Sequence, residues 1–166
     1  MSRKLKFLTY IFLPILLLDI LIKWSVQRYL YPYIPFAYPY GGLGVFKNFL
    51  GIQFSLVYET NTGAAWGFFS NYPYILLIAR LLIIVGIIYY VFSRSLKRFE
   101  LFSICLILAG AIGNVLDIFF YGAVIDMFKC VLWGYAFPVF NLADSAIFIG
   151  IVLYFISQLR KTSHAV

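Results

Sequence analysis

Four apolar stretches, residues 5–26, 73–93, 99–119 and 139–159, divide the chain, each about 20 residues long and poor in charge. At about 1.5 Å of rise per residue such a run crosses a hydrocarbon core of about 30 Å, so each predicts a transmembrane helix. Between the first two the period changes. From Ile52 to Tyr58 (IQFSLVY) apolar residues alternate, which puts Ile52, Phe54, Leu56 and Tyr58 on one face of a strand. A strand or small sheet on the membrane surface is expected there, inside an outer loop spanning 27–72. The stretch before it carries Pro32, Pro35, Pro39, Gly41 and Gly42, too many breakers for a helix. The expected fold is an all-α membrane protein of four transmembrane helices with a small extracytoplasmic β element, forming one domain over 1–166.

Composition agrees with lipid as the main solvent: 64% of the 166 residues are hydrophobic and only 11% are charged, against about 25% in soluble domains. The net charge of +7 does not indicate nucleic acid, because the basic residues sit in short clusters between apolar runs. Arg3, Lys4 and Lys6 precede the first span, Arg94, Lys97 and Arg98 separate the second and third, and Arg160 and Lys161 follow the fourth. Eight of the 13 Lys and Arg residues thus mark one side, the cytoplasmic one, and both termini lie there. The loops 27–72 and 120–138 then face outward. The first run resembles a cleavable signal peptide, yet it contains Asp19 and Lys23 and lacks a small-residue cleavage site, so a retained helix is expected. Cys105 and Cys130 form neither a disulfide framework nor a metal spacing.

The six acidic residues are Asp19, Glu59, Glu100, Asp117, Asp126 and Asp144. With the N-terminus inside, Asp19, Asp117, Asp126 and Asp144 gather at one level near the outer leaflet. Asn114 precedes Asp117 by three residues and Asn141 precedes Asp144 by three, so each Asn is expected beside its own Asp on a shared helix face. An ionised carboxylate in lipid costs at least about 2.5–3.5 kcal/mol, which makes such a gathering a functional-site expectation. The single histidine, His164, lies in the cytoplasmic tail, which argues against metal hydrolysis and Ser–His catalysis. Paired carboxylates remain: held close together they cannot both ionise, so one acts as acid while the other deprotonates water, without a cofactor.

NTGAAWG (Asn61 to Gly67), GNVLD (Gly113 to Asp117), VID (Val124 to Asp126) and FNLAD (Phe140 to Asp144) together resemble the bacterial type II, or lipoprotein, signal peptidases. The spacing from Asp19 to Lys23 is similar too, and the resemblance covers nearly the whole chain. It implies an aspartyl endopeptidase of the bacterial inner membrane that cleaves before the lipid-modified cysteine of a diacylglyceryl prolipoprotein. It maps the catalytic dyad onto Asp126 and Asp144, site-shaping positions onto Asn114, Asp117 and Asn141, and the substrate-side loop onto Asn61 and Gly63. Inhibition by the cyclic peptide globomycin is implied as well, and a monomer is expected. One position departs from the family pattern. Ile118 stands where an Arg usually follows the Asp of the GN-x-x-D motif, leaving Asp117 without that adjacent cation. Arg80, about seven residues into the second span, is the expected source of positive charge for the cluster.

Simpler readings compete with these. Asp126 and Asp144 can cap helices, the Asn amides can join helices, and Lys23 can snorkel to the interface. Gly110 and Gly113 are expected to permit close helix packing, Pro14 to kink the first span, and Pro138 to set the entry to the fourth. Tyr58 and Trp66 are expected to lie over the site. Two other functions fit a polar cluster in a small bundle: a proton-coupled transporter, which favours midplane carboxylates on paired repeats, and a non-catalytic assembly factor.

Overall fold

A computed structural model describes residues 2–30, 42–63 and 72–162; Trp66 lies outside the described residues. The helices are α1 (Arg3–Phe7), α2 (Leu13–Tyr29), α3 (Pro73–Ser93), α4 (Arg98–Tyr121) and α5 (Leu142–Thr162), and the strands are β1 (Leu43–Phe49), β2 (Ile52–Asn61), β3 (Val124–Leu132) and β4 (Tyr135–Ala136). Residues 3–29 form one continuous span, because α1 and α2 are joined by a π-helical turn, Leu8–Phe12. Pro14 explains the turn. It has no N–H for the carbonyl one turn back, and just before it the Leu13 N–H reaches back five residues to the Leu8 carbonyl.

Among the described residues four helices are long and apolar enough to cross a membrane: Arg3–Tyr29, Pro73–Ser93, Arg98–Tyr121 and Leu142–Arg160. Most of α4 is buried whereas most of α3 is not, so α4 is the internal helix and α3 exposes its apolar surface. The fourth helix starts at Leu142, three residues later than 139. Phe140 is taken by the sheet: its carbonyl accepts from the Met127 and Phe128 N–H groups at 3.1 and 2.8 Å, and its own N–H donates to the Phe128 carbonyl at 3.2 Å. Pro138 therefore lies four residues before the helix rather than at its first turn.

The chain divides into two compact units. The first comprises 1–19, 77–116 and 142–166. Its core is Ile84, Val91, Leu96, Leu101, Ile104, Leu108 and Val115. At one end Glu100 is buried, accepting the Lys97 N–H at 2.8 Å and the Gln158 side-chain amide at 3.1 Å. The first of these bonds makes a capping contact at the start of α4.

The second unit comprises 20–76 and 117–141 and holds a sheet of order β1-β2-β3-β4, antiparallel throughout. The β element is thus larger than expected, with β3 and β4 supplied by the loop between the third and fourth spans. β1 and β2 meet in a two-residue turn in which Leu50 (φ 55°) and Gly51 (φ 83°) are both left-handed, as a primed hairpin turn requires. The Asn48 side-chain oxygen accepts the Gly51 N–H at 2.9 Å. The β2–β3 register slips once, between Leu56↔Phe128 and Glu59↔Asp126. β2 spends three steps there against two in β3, a β-bulge with one extra residue. The bulge breaks the expected alternation: the face of Ile52, Phe54 and Leu56 continues as Glu59 and Asn61, and Tyr58 joins Val26, Ile125 and Met127 in the core of this unit.

Candidate active site

In the second unit, β3 carries Asp126 as a cross-strand neighbour of Glu59, almost fully buried at 5% exposure. Asp126 belongs to a strand, not to a loop or a helix start, so capping does not account for it. Each of its oxygens meets an amide donor. Asn141 Nδ2 donates to Oδ1 at 2.8 Å, and Asn61 Nδ2 approaches Oδ2 at 3.5 Å. Asn61 is itself fixed, since its Oδ1 accepts the Gly63 N–H at 2.9 Å. Glu59 extends outward, its carboxylate half exposed and 3.9 Å from the Lys129 ammonium.

The peptide just before Asp126 is clamped from both sides. The Ile125 N–H donates to Asp117 Oδ2 at 3.3 Å and the Ile125 carbonyl accepts from Asn141 Nδ2 at 3.2 Å. β2 pairs with β3 here through Thr60, whereas β4 pairs with β3 only at Val131 and Leu132; the two side chains supply partners to a buried peptide, whose groups are costly to leave unmet. Asp117 also forms an ion pair with Lys23, Nζ to Oδ2 at 2.6 Å, both side chains buried. Lys23 therefore does not snorkel: it is fully buried, and it supplies the cation that Ile118 cannot.

In the first unit, Asp144 lies in the first turn of α5, half-buried, near the positive end of the helix dipole. Its Oδ1 accepts from Asn114 Nδ2 of α4 at 2.8 Å. One residue earlier, the Ala143 N–H donates to Asp19 Oδ1 of α2 at 2.9 Å. Asp19 thus caps α5 from another helix, filling one of the donors that every helix start leaves open. Close approach makes this possible. A Cβ on Gly113 would come within 2.6 Å of Asp19 Oδ2, and one on Gly110 would collide with the Ala143 carbonyl. Both glycines serve packing, as expected. Arg80 lies on α3 in this unit, half-buried.

The expected Asn–Asp partnerships thus reach further than one helix turn. Asn114 serves Asp144 on the next helix, and Asn141 serves Asp126 on β3. Spacing in the chain cannot reveal a bond that reaches across elements. Lys23, four residues from Asp19 inside a span, could by sequence either snorkel or find an anionic partner, and its partner Asp117 lies on another helix. Among the described residues no group of three or more His, Cys, Asp and Glu side chains could hold a metal ion.

Comparison with known proteins gives these residues a context. A family model described as signal peptidase (SPase) II matches residues 11–160. A protein named lipoprotein signal peptidase from Thermodesulfovibrio yellowstonii is 35% identical over 161 residues, 97% of this chain and 100% of that one. Its namesake from Halalkalibacterium halodurans is 32% identical over 155 residues, 92% of each chain. The one from Chlamydia pneumoniae is 42% identical over 103 residues, and there the match spans only 61% of either chain. A solved bacterial membrane enzyme, determined by the in meso method at 2.3 Å resolution, superposes with a TM-score of 0.73 at 28% identity, covering 93% of this chain and 88% of its own. With the family match running through almost the whole of its four apolar helices, its sheet and the segments that carry Asp126 and Asp144, the chain belongs to the signal peptidase II family of peptidases.

Proposed function

We propose that this protein is an intramembrane aspartyl endopeptidase that releases the signal peptide of diacylglyceryl-modified prolipoproteins by cutting just before the lipidated cysteine. Asp126 and Asp144 are its catalytic pair. The observation that carries the reading is that each of these carboxylates is held by the side-chain amide of a buried asparagine, Asn141 for Asp126 and Asn114 for Asp144. An amide orients a carboxylate without bringing a counter-charge, and a proton can then be shared between the two acids. Chain length supports their proximity. Asn141, bonded to Asp126, is three residues from Asp144, a separation of at most about 11 Å between their Cα atoms.

In the reaction, the ionised member of the pair takes a proton from water as that water attacks the scissile carbonyl. The protonated member donates to the departing amine. Acid and base are roles of the pair rather than of either residue. Asp117, Asn61 and Gly63 hold β3 and its approach in place, Asp19 holds the start of α5, and Arg80 adds positive charge toward the cluster. The membrane is the bacterial inner membrane, with both termini cytoplasmic, the carboxylates toward the outer face and the sheet at the outer surface. The working unit is a monomer.

Incubating the purified protein with a diacylglyceryl prolipoprotein tests this. Cleavage before the modified cysteine, blocked by globomycin, is expected; cleavage of the unmodified precursor at an equal rate would contradict it. Exchanging Arg80→Gln is expected to lower turnover, and unchanged turnover at unchanged abundance would remove Arg80 from the site.

A further inference from the structure

One face of the sheet carries more than catalysis uses. Directly opposed residues share a face, so the pairs Phe54↔Cys130, Leu56↔Phe128 and Glu59↔Asp126 put Phe54, Phe128 and Asp126 on the same side, and Phe46↔Phe54 brings in the edge strand. Ile125 and Met127, on the other side, pack against Val26.

On the Asp126 side the rings touch in single file. Phe49 lies 6.2 Å from Phe46 between centroids, Phe46 5.7 Å from Phe54, and Phe54 6.0 Å from Phe128. Phe128 lies 5.6 Å from Phe140, and Phe140 5.8 Å from Phe137. None of the six is buried: Phe49, Phe46 and Phe137 are 65%, 39% and 44% exposed, and Phe54, Phe128 and Phe140 are half-buried. The row leads to the reacting carboxylate. Phe128 is two residues from Asp126 on one face of β3, and Phe140 immediately precedes Asn141, whose amide holds Asp126.

The chemistry of the row selects its occupant. At its centre the backbone of Phe54, Phe128 and Phe140 is engaged in the strand ladders and in the mutual bonds of Phe128 and Phe140, so that part of the row offers ring surface rather than backbone donors or acceptors. An extended polypeptide laid along it would leave its own peptide groups without partners, which is costly. A helix, about 10 Å across, is broader than a single file of rings. A hydrocarbon chain meets neither objection.

We propose that this row of phenylalanines is the subsite for an acyl chain of the substrate's diacylglyceryl group. The inference rests on the functional reading above. The chain comes from the substrate rather than from bulk lipid, because the modified cysteine directly follows the scissile bond. Its acyl chains therefore begin within one residue of the carboxylate that the row passes at Phe128 and Phe140.

The test uses the full-length protein and two prolipoproteins of identical peptide, one carrying palmitoyl and the other butyryl chains, at one detergent concentration. The quantity read is the ratio of kcat/KM for the long-chain over the short-chain substrate. That ratio is expected to fall roughly tenfold in Phe54→Ala and by a smaller factor in Phe46→Ala. Both substrates meet the same preparation, so any unfolded fraction cancels. A ratio unchanged in both variants overturns the subsite. If the wild-type protein cleaves neither substrate, the functional reading fails and takes this inference with it, an outcome distinct from cleavage with an unchanged ratio.

Discussion

Two buried carboxylates of the same unit, Asp117 at the end of α4 and Asp126 on β3, are stabilised in opposite ways. Asp117 meets the ammonium of Lys23 at 2.6 Å, whereas the neutral amides of Asn141 and Asn61 approach the two oxygens of Asp126. A carboxylate in contact with a buried cation is locked in its charged form, because protonating it would leave the cation alone in a medium of low dielectric. It serves as a fixed anchor, here for Ile125. A carboxylate oriented by amides keeps the freedom to gain and lose a proton. The difference separates scaffold from chemistry within a few residues of chain.

That separation can be broken most severely at the proposed pair. Asp126→Asn and Asp144→Asn should each lower prolipoprotein cleavage by on the order of a thousandfold or more while the protein still folds, measured as single-turnover cleavage beside thermal unfolding in detergent. Loss of the folded protein in both variants would instead make the cluster helix glue.

Removing the cation should have the reverse signature. Lys23→Met leaves Asp117 buried without that partner and should cost about 3–5 kcal/mol of stability. The double variant Lys23→Met/Asp117→Asn, which keeps an acceptor for the Ile125 N–H, should recover most of the loss. A double variant as unstable as the single one would show that the ion pair is not the source.

A smaller effect is expected at the amides. Asn114→Ala and Asn141→Ala each remove a bond to a carboxylate worth about 1.5–3 kcal/mol, so turnover per folded molecule should fall about 10- to 100-fold. The smallest concerns Cys130 on β3, whose thiol is pushed up by burial from its ordinary value of 9.0. Its thiolate fraction at neutral pH is correspondingly low, so maleimide labelling of a Cys105→Ala protein should stay slow at pH 7 and rise only above pH 9.

The sequence made the helices plain because lipid demands about 20 apolar residues per crossing whatever the tertiary contacts. β2 was legible through its alternation, up to the bulge near Val57 and Tyr58. β3 was not, since VIDMFKCVL is buried on both sides at its start and has no alternation to read. The late start of α5 was equally hidden, because nothing local announces that Phe140 bonds to Phe128. Among the site residues, the acidic and amide positions stood out by the cost of placing them in lipid. Their partners did not, because Asn114–Asp144, Asn141–Asp126 and Asp19–Ala143 link residues 15 to 124 positions apart. Lys23, read alone, invites snorkelling; only the fold supplies the partner that keeps it buried.

The most direct test of the proposed pair is an experimental structure of the wild-type protein with an uncleavable prolipoprotein analogue, its scissile amide replaced by a methyleneamine. The account predicts one water or substrate atom within about 2.6–3.2 Å of carboxyl oxygens from both Asp126 and Asp144. Carboxyl groups too far apart to share any such atom, with the analogue seated between them or elsewhere, would contradict it.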